Sequence, residues 1–355
     1  MTLTLLSLLA EIGTSAAQER WKWSGSLATN AHGYMQTLNK ADRVGLNTFT
    51  LEAAQKVSVN LSERVAINVK TCLSCHGFRV SQAYAEVSAS DLVNVEIGRF
   101  IVPFGEFNSR HDPANNKTAS KPLPYMMGHI VRPLDHNYSI LMTPYADTGL
   151  NLFGNYWPND NVQLSYALYL VNGLQGTNDI NWVQSAEYRD NNPFPVGGAR
   201  MVIAPYDLFI IGGSFLTGTY DDDSDLGYWI AGAELRTRVK RFTVRGEYLR
   251  RKTQVYIPVP GGGVIRDSFA KSGFYAEIEF PVQSHLEFIA RVDGMLRKGP
   301  VVGQALDESM GITRLTAGIT VVARSYLMIK VNHEFWRLTD FKDLNLVNLQ
   351  VVLTY

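Results

Sequence analysis

Cysteine is nearly absent: among 355 residues only Cys72 and Cys75 occur, far too few for a disulfide-stapled scaffold. Long apolar runs are missing as well. Nowhere does the chain offer the roughly 18 uninterrupted apolar residues of a membrane-crossing helix, so membrane residence would have to come from strands. Net charge is absent too. With 33 basic against 33 acidic side chains there is no overall field for nucleic acid, and no nucleic-acid partner is expected. A composition of 46% hydrophobic and 19% charged residues excludes disorder. No nucleophile–base set, converging carboxylate pair or phosphate-cradling glycine loop is legible, so no catalysis is expected; the glycines at 261–263 read as a flexible turn.

What is present is alternation, from Trp23 to Tyr355, in stretches of about ten residues, the length of a tilted strand crossing a bilayer. Val347, Leu349, Val351, Leu353 and Tyr355 share one face of the last stretch, while Asn348, Gln350 and Thr354 share the other. This terminal pattern is similar to the C-terminal assembly signal of outer-membrane barrels. Upstream, Leu327, Ile329, Val331 and Phe335 oppose Lys330, Asn332 and Glu334; Leu315, Ala317 and Ile319 oppose Arg314 and Thr316. Phe288, Ala290 and Val292 likewise oppose Arg291 and Asp293, and Val244 and Tyr248 oppose Arg245 and Glu247. Charges inside strands are costly in a packed sandwich and natural on a wall facing water.

These patterns predict an all-β transmembrane antiparallel barrel of about 16 strands, with a soluble sandwich or propeller as the structural rival. Short turns are expected at 60–64, 158–161, 205–206, 240–241, 283–284 and 325–326, interleaved with longer loops. Trp21, Trp157, Tyr228 and Trp336 near strand ends would suit interfacial girdles. Residues 1–17 resemble a secretory signal, although no Lys or Arg precedes the apolar run; a short buried helix is the alternative. Residues 18–355 would then form the barrel, resident in a bacterial outer membrane.

One connection, residues 105–138, is polar, proline-punctuated and without a period, and loops of this length are usually functional. Folded inward, it would constrict the lumen and bring Arg110, His111, Lys117, Lys121, His129 and Arg132 to the narrowing, with a mild anion preference. A solvated surface loop is the alternative. Residues 95–113, VEIGRFIVPFGEFNSRHDP, resemble the strand-and-loop signature of the phosphate-selective porin O/P superfamily, through Gly98, Arg99, Pro103, Phe104 and Gly105. The resemblance implies a barrel with an inward loop. The lysine and arginine ladder of true phosphate porins is not legible here.

The segment TCLSCHG from Thr71 matches the C-x-x-C-H signature for covalent c-type haem, with Cys72 and Cys75 as thioether donors and His76 as proximal ligand. A disulfide, or zinc completed by other histidines, would use the same thiols. If haem c binds, His111 ranks first as sixth ligand, with Met126, Met127 and His129 as alternatives. The chain then also resembles fused cytochrome-porins, with a periplasmic cytochrome as electron partner. Taken together, the sequence predicts a porin passing small hydrophilic solutes or anions. Its pore-lining candidates are Arg99, Arg110, Lys117, Lys121, Arg132, Arg245, Glu247, Arg291, Asp293, Arg314, Lys330 and Glu334. The rival readings are an outer-membrane cytochrome-porin in electron transfer and a non-conducting structural barrel. Outer-membrane lipid and a homotrimeric arrangement are the expected surroundings.

Overall fold

The computed structural model describes residues 20–37, 46–74, 77–126, 139–206, 209–300, 302, 309–339 and 342–355; the signal-like segment 1–17 lies outside them. Period-2 alternation is satisfied everywhere by strands. In chain order these are β1 (Trp21–Tyr34), β2 (Phe49–Asn60), β3 (Val65–Ser74), β4 (Gly77–Ser88), β5 (Asn94–Ile101), β6 (Ala146–Asn159), β7 (Val162–Val171) and β8 (Val196–Pro205). The second half continues with β9 (Phe209–Thr219), β10 (Gly227–Val239), β11 (Phe242–Pro258), β12 (Val264–Gln283), β13 (Leu286–Lys298), β14 (Ser309–Arg324), β15 (Leu327–Leu338) and β16 (Leu344–Thr354).

Every strand pairs antiparallel with its sequence neighbours, and β1 closes on β16 from Ser26↔Thr354 to Tyr34↔Leu346. Closure leaves no open edge, the condition a sheet must meet to satisfy its backbone in hydrocarbon. The described residues thus form one closed barrel of sixteen strands, the number read from the pattern. Tight connections gather at one rim, including the predicted ones and a further one at 89–93 between β4 and β5. The opposite rim carries the longer connections, chiefly 102–145 and 172–195.

The faces sort as alternation requires. On β14, Leu315 is 52% exposed while its neighbours Arg314 and Thr316 are buried. Leu349 and Val347 point out beside buried Asn348 and Gln350 on β16. Trp21, Trp23, Trp157, Tyr206 and Tyr326 form an exposed aromatic band near the tight turns, where amphipathic rings prefer the membrane interface. Tyr228 and Trp336, expected in such a band, instead turn inward and are buried among Phe104, Tyr125, Tyr145 and Leu249. The outer half of the barrel is therefore packed, and water fills only part of the lumen.

Candidate functional site

The packing comes from the connection between β5 and β6. It leaves β5 through Val102–Pro103–Phe104, enters helix α1 (Gly105–Ser109), and passes two short helical turns, Pro113–Asn115 and Leu123–Tyr125. α1 lies against β9 and β10, the turn at 113–115 against β16 and β1, and the turn at 123–125 against β12 and β13. This loop therefore folds inward, pressed on the β9–β16 half of the wall. Gly105 starts it in the left-handed region (φ +67), where an added Cβ would stand 2.3 Å from the Tyr125 hydroxyl.

An inward ionic band on that wall holds the loop by its backbone. Glu247 accepts from the Phe107 amide (2.7 Å), from the Tyr275 hydroxyl (2.7 Å) and from Tyr125. Asp293 accepts from the Leu123 amide (3.0 Å) and from Arg314 Nε (3.0 Å), and Arg314 donates to the Lys121 carbonyl (2.6 Å). Arg291 donates to Thr118 Oγ1 (2.8 Å) and to Ser120 (2.9 and 3.1 Å). Glu334 accepts from Ser120 and from the Trp336 indole (2.9 Å), and Lys330 donates to the Pro113 carbonyl (2.6 Å). Arg245 pairs with Glu106 (3.4 Å) and with Glu279.

These residues were expected to line a wet pore, and the structure corrects that assignment. Arg314, Lys330, Asp293 and Glu334 are each 0% exposed, sealed beneath the loop inside the barrel. Alternation identified their inward direction correctly, but an inward charge that meets a docked loop loses its water. Because each buried charge meets an opposite charge or several hydrogen bonds, the network is tolerable where an isolated charge would not be.

The loop's own cations are likewise engaged. Arg110 pairs with Glu277 (3.3 Å), Lys117 with Glu287 (2.8 Å), and Lys121 donates to the Thr143 carbonyl (2.9 Å). Arg99 serves a different loop: it donates to the Ala186 and Glu187 carbonyls (3.1 Å each) and covers the Tyr188 ring at 5.0 Å. Arg132, His129 and Met127 lie outside the described residues. Of the loop cations on which an anion preference was expected, Arg110 and Lys117 are thus neutralised by carboxylates, whereas Lys121 meets a neutral carbonyl.

Water-accessible space remains along the other half of the wall. A vestibule of about 650 Å³ runs between the loop and strands β1–β8, lined by Lys56, Lys70, Gln82, Glu96, Asn151 and Arg200 on the wall and by Ser109, Asp112 and Asn115 on the loop. Beyond the loop lies a smaller space of about 190 Å³ beside Glu52, Cys72 and Arg79. His111 borders both, so the narrowing sits at His111 and Asp112, with Lys70 paired to Asp112 across it. Arg200 pairs with Glu234 at 2.5 Å, Glu96 accepts from Asn151 (2.8 Å), and Lys56 makes no ion pair among the described residues. Burial pushes His111 down to about 4, its neighbour Asp112 opposing the shift, so the ring is neutral at neutral pH.

Cys72 stands on β3 opposite Arg79 as a free thiol, 3.3 Å from Ser81 Oγ at a β-bulge. Cys75 and His76 lie outside the described residues. Beside Cys72 the described residues leave little room for haem. The adjoining space, about 190 Å³, is below the roughly 300–1,000 Å³ of ordinary ligand pockets. In the neutral ring of His111, the proposed sixth ligand, Nδ1 donates to the Asn108 carbonyl (2.7 Å) and Nε2 lies against the Asp112 carboxylate at 3.3 Å. Met126 sulfur lies 3.7 Å from Arg314 Nη1.

No family model matches the chain, and no curated protein matches it. Solved structures do. An anion-selective porin from Comamonas acidovorans superposes with TM-score 0.64 at 10% identity, over 94% of this chain and 99% of that one. Salmonella typhi OmpF in complex with daunomycin gives 0.63 at 9% identity, over 94% and 97%. The trimer form of in-vitro folded OmpT, an outer-membrane protein of Vibrio cholerae, gives 0.56 at 7% identity, over 94% and 99%. At these identities the likeness establishes the fold: a closed β-barrel of the kind found in outer-membrane proteins. Its apolar exterior with an aromatic band is the surface that a bacterial outer membrane covers.

Proposed function

We propose that the protein is a diffusion porin for small hydrophilic solutes. The path runs from the rim of long loops, past His111 and the Lys70–Asp112 pair, into the vestibule and out at the tight-turn rim. One observation carries this reading: the inward loop is fixed to the β9–β16 wall, and a polar gap is left along β1–β8. A ring of mixed charge at a narrowing selects weakly and by size. Lys56 and Glu96 contribute opposite charges to the vestibule, and Lys70 and Arg200 are neutralised by Asp112 and Glu234. Weak ion selectivity of either sign follows, in place of the mild anion preference expected from the loop.

Purified protein added to a planar bilayer is expected to give stepwise increases in current, with a reversal potential near zero across a KCl gradient. Complete absence of steps from folded protein would refute the porin reading. Lys56→Glu is expected to move the reversal potential toward cation selectivity while leaving conductance similar. We extend the trimeric form of one structural neighbour to this chain as part of the same reading, to be checked by a mass measurement in detergent.

A further inference from the structure

The outer wall carries a feature that permeation does not use. Near the long-loop rim, strands β11–β15 enclose a groove of about 1,000 Å³ on the lipid side of the barrel. Its floor is low because the outward positions are small: Ser272, Gly294, Gly311 and Thr313. Gly294 is required there, since a Cβ would approach the Phe274 ring to 2.9 Å. Tyr248 and Phe274, cross-strand partners, and Leu296 form an apolar flank, each 40–47% exposed.

Three cations edge the groove: Arg250, Lys298 and Arg337, all exposed. None forms an ion pair or hydrogen bond among the described residues, and the groove's acidic residue is Asp343. An Arg or Lys on the lipid face is costly at mid-membrane and tolerated only near the interface, which fixes the level of this cluster. Arg250 follows the aromatic Tyr248 by two residues on the same face, about 7 Å further along the strand at ordinary strand rise. That is where headgroups begin above an aromatic belt.

We infer that this groove binds a membrane lipid whose phosphate headgroup is net anionic, of the lipid A kind, with Arg250, Lys298 and Arg337 meeting the phosphate oxygens and Tyr248, Phe274 and Leu296 lying along an acyl chain. Guanidinium groups suit phosphate because their donors form a planar fork, and Lys298 adds a point charge. The small floor residues give the chain a recess that a uniformly bulky wall would deny.

The test is native mass spectrometry of the full chain from micelles doped with diphosphorylated lipid A or, separately, with phosphatidylcholine. The wild type is expected to keep one lipid A at collision energies that strip phosphatidylcholine. R250Q/K298Q/R337Q is expected to lower the retained fraction at least tenfold, and Lys298→Gln alone about threefold, whereas Lys22→Gln at the opposite rim leaves it unchanged. Equal loss of both lipids from the wild type, or undiminished lipid A retention by the folded triple variant or by Lys298→Gln, overturns the inference. So does copy-to-copy disulfide formation through Leu296→Cys in a C72S/C75S background, because a second copy would then cover the groove.

Discussion

At the scale of single residues, the role of each inward charge depends on what faces it. Asp293 carries two arginines and a loop amide, so Asp293→Asn leaves Arg291 and Arg314 buried with one counter-ion fewer. Breaking such a pair from one side costs about 3–5 kcal/mol. The expected outcome is a folded barrel with a loosened loop, seen as noisy and larger conductance steps. His111 gives a pH dependence. Its folded value, about 4, lies below the unfolded 6.5, so on acidification the unfolded chain takes up the proton first. Stability is therefore full above about 6.5 and declines as pH falls toward 4. Thermal unfolding in detergent between those limits should show the decline, and His111→Gln should flatten it. Cys72 adds a chemical check: boiled, denatured protein from a strain able to mature cytochromes should show no haem-dependent peroxidase band.

At the scale of elements, the inward loop was legible as a loop and its destination was not. Its proline punctuation and lack of period set residues 105–138 apart in the sequence, and the structure turns it into the lumen through Gly105. Gly105→Ala should displace α1 from Glu247 and Tyr125, and the prediction is altered single-channel conductance with unchanged strand content by circular dichroism. The strands themselves were readable because period-2 alternation depends only on a residue's own neighbours along the chain. Which sector of the wall stays wet depends on contacts more than a hundred residues apart, such as Leu123 with Asp293 or Ser120 with Glu334. Lys56, Lys70, Gln82, Glu96 and Arg200 were missed for that reason. One signal pointed to them: Lys56 and Lys70 face one another across β2 and β3, and like charges in register are costly unless a counter-charge intervenes, as Asp112 of the loop does for Lys70. The opposed signs of Arg291, Asp293, Arg314 and Glu334 on β13–β15 carried the complementary message of a self-neutralising plate.

At the scale of the whole molecule, the barrel is a closed sheet with unequal halves. One half of its inner wall is a docking plate, the other a polar channel wall, and the exterior is largely apolar, with the cationic groove as a cluster of charge upon it. Stability and permeability are thereby separated: substitutions on β11–β15 act through loop docking, and substitutions on β2–β8 act on the passing solute. Reactivity toward a small, membrane-impermeant thiol reagent during bilayer recording tests this division most directly, in a C72S/C75S background. Lys56→Cys should react and reduce the current of an open channel, while Thr316→Cys, buried under the loop, should leave it unchanged. Block at Thr316→Cys with none at Lys56→Cys would contradict the account, since solute would then be crossing through the half assigned to the plate.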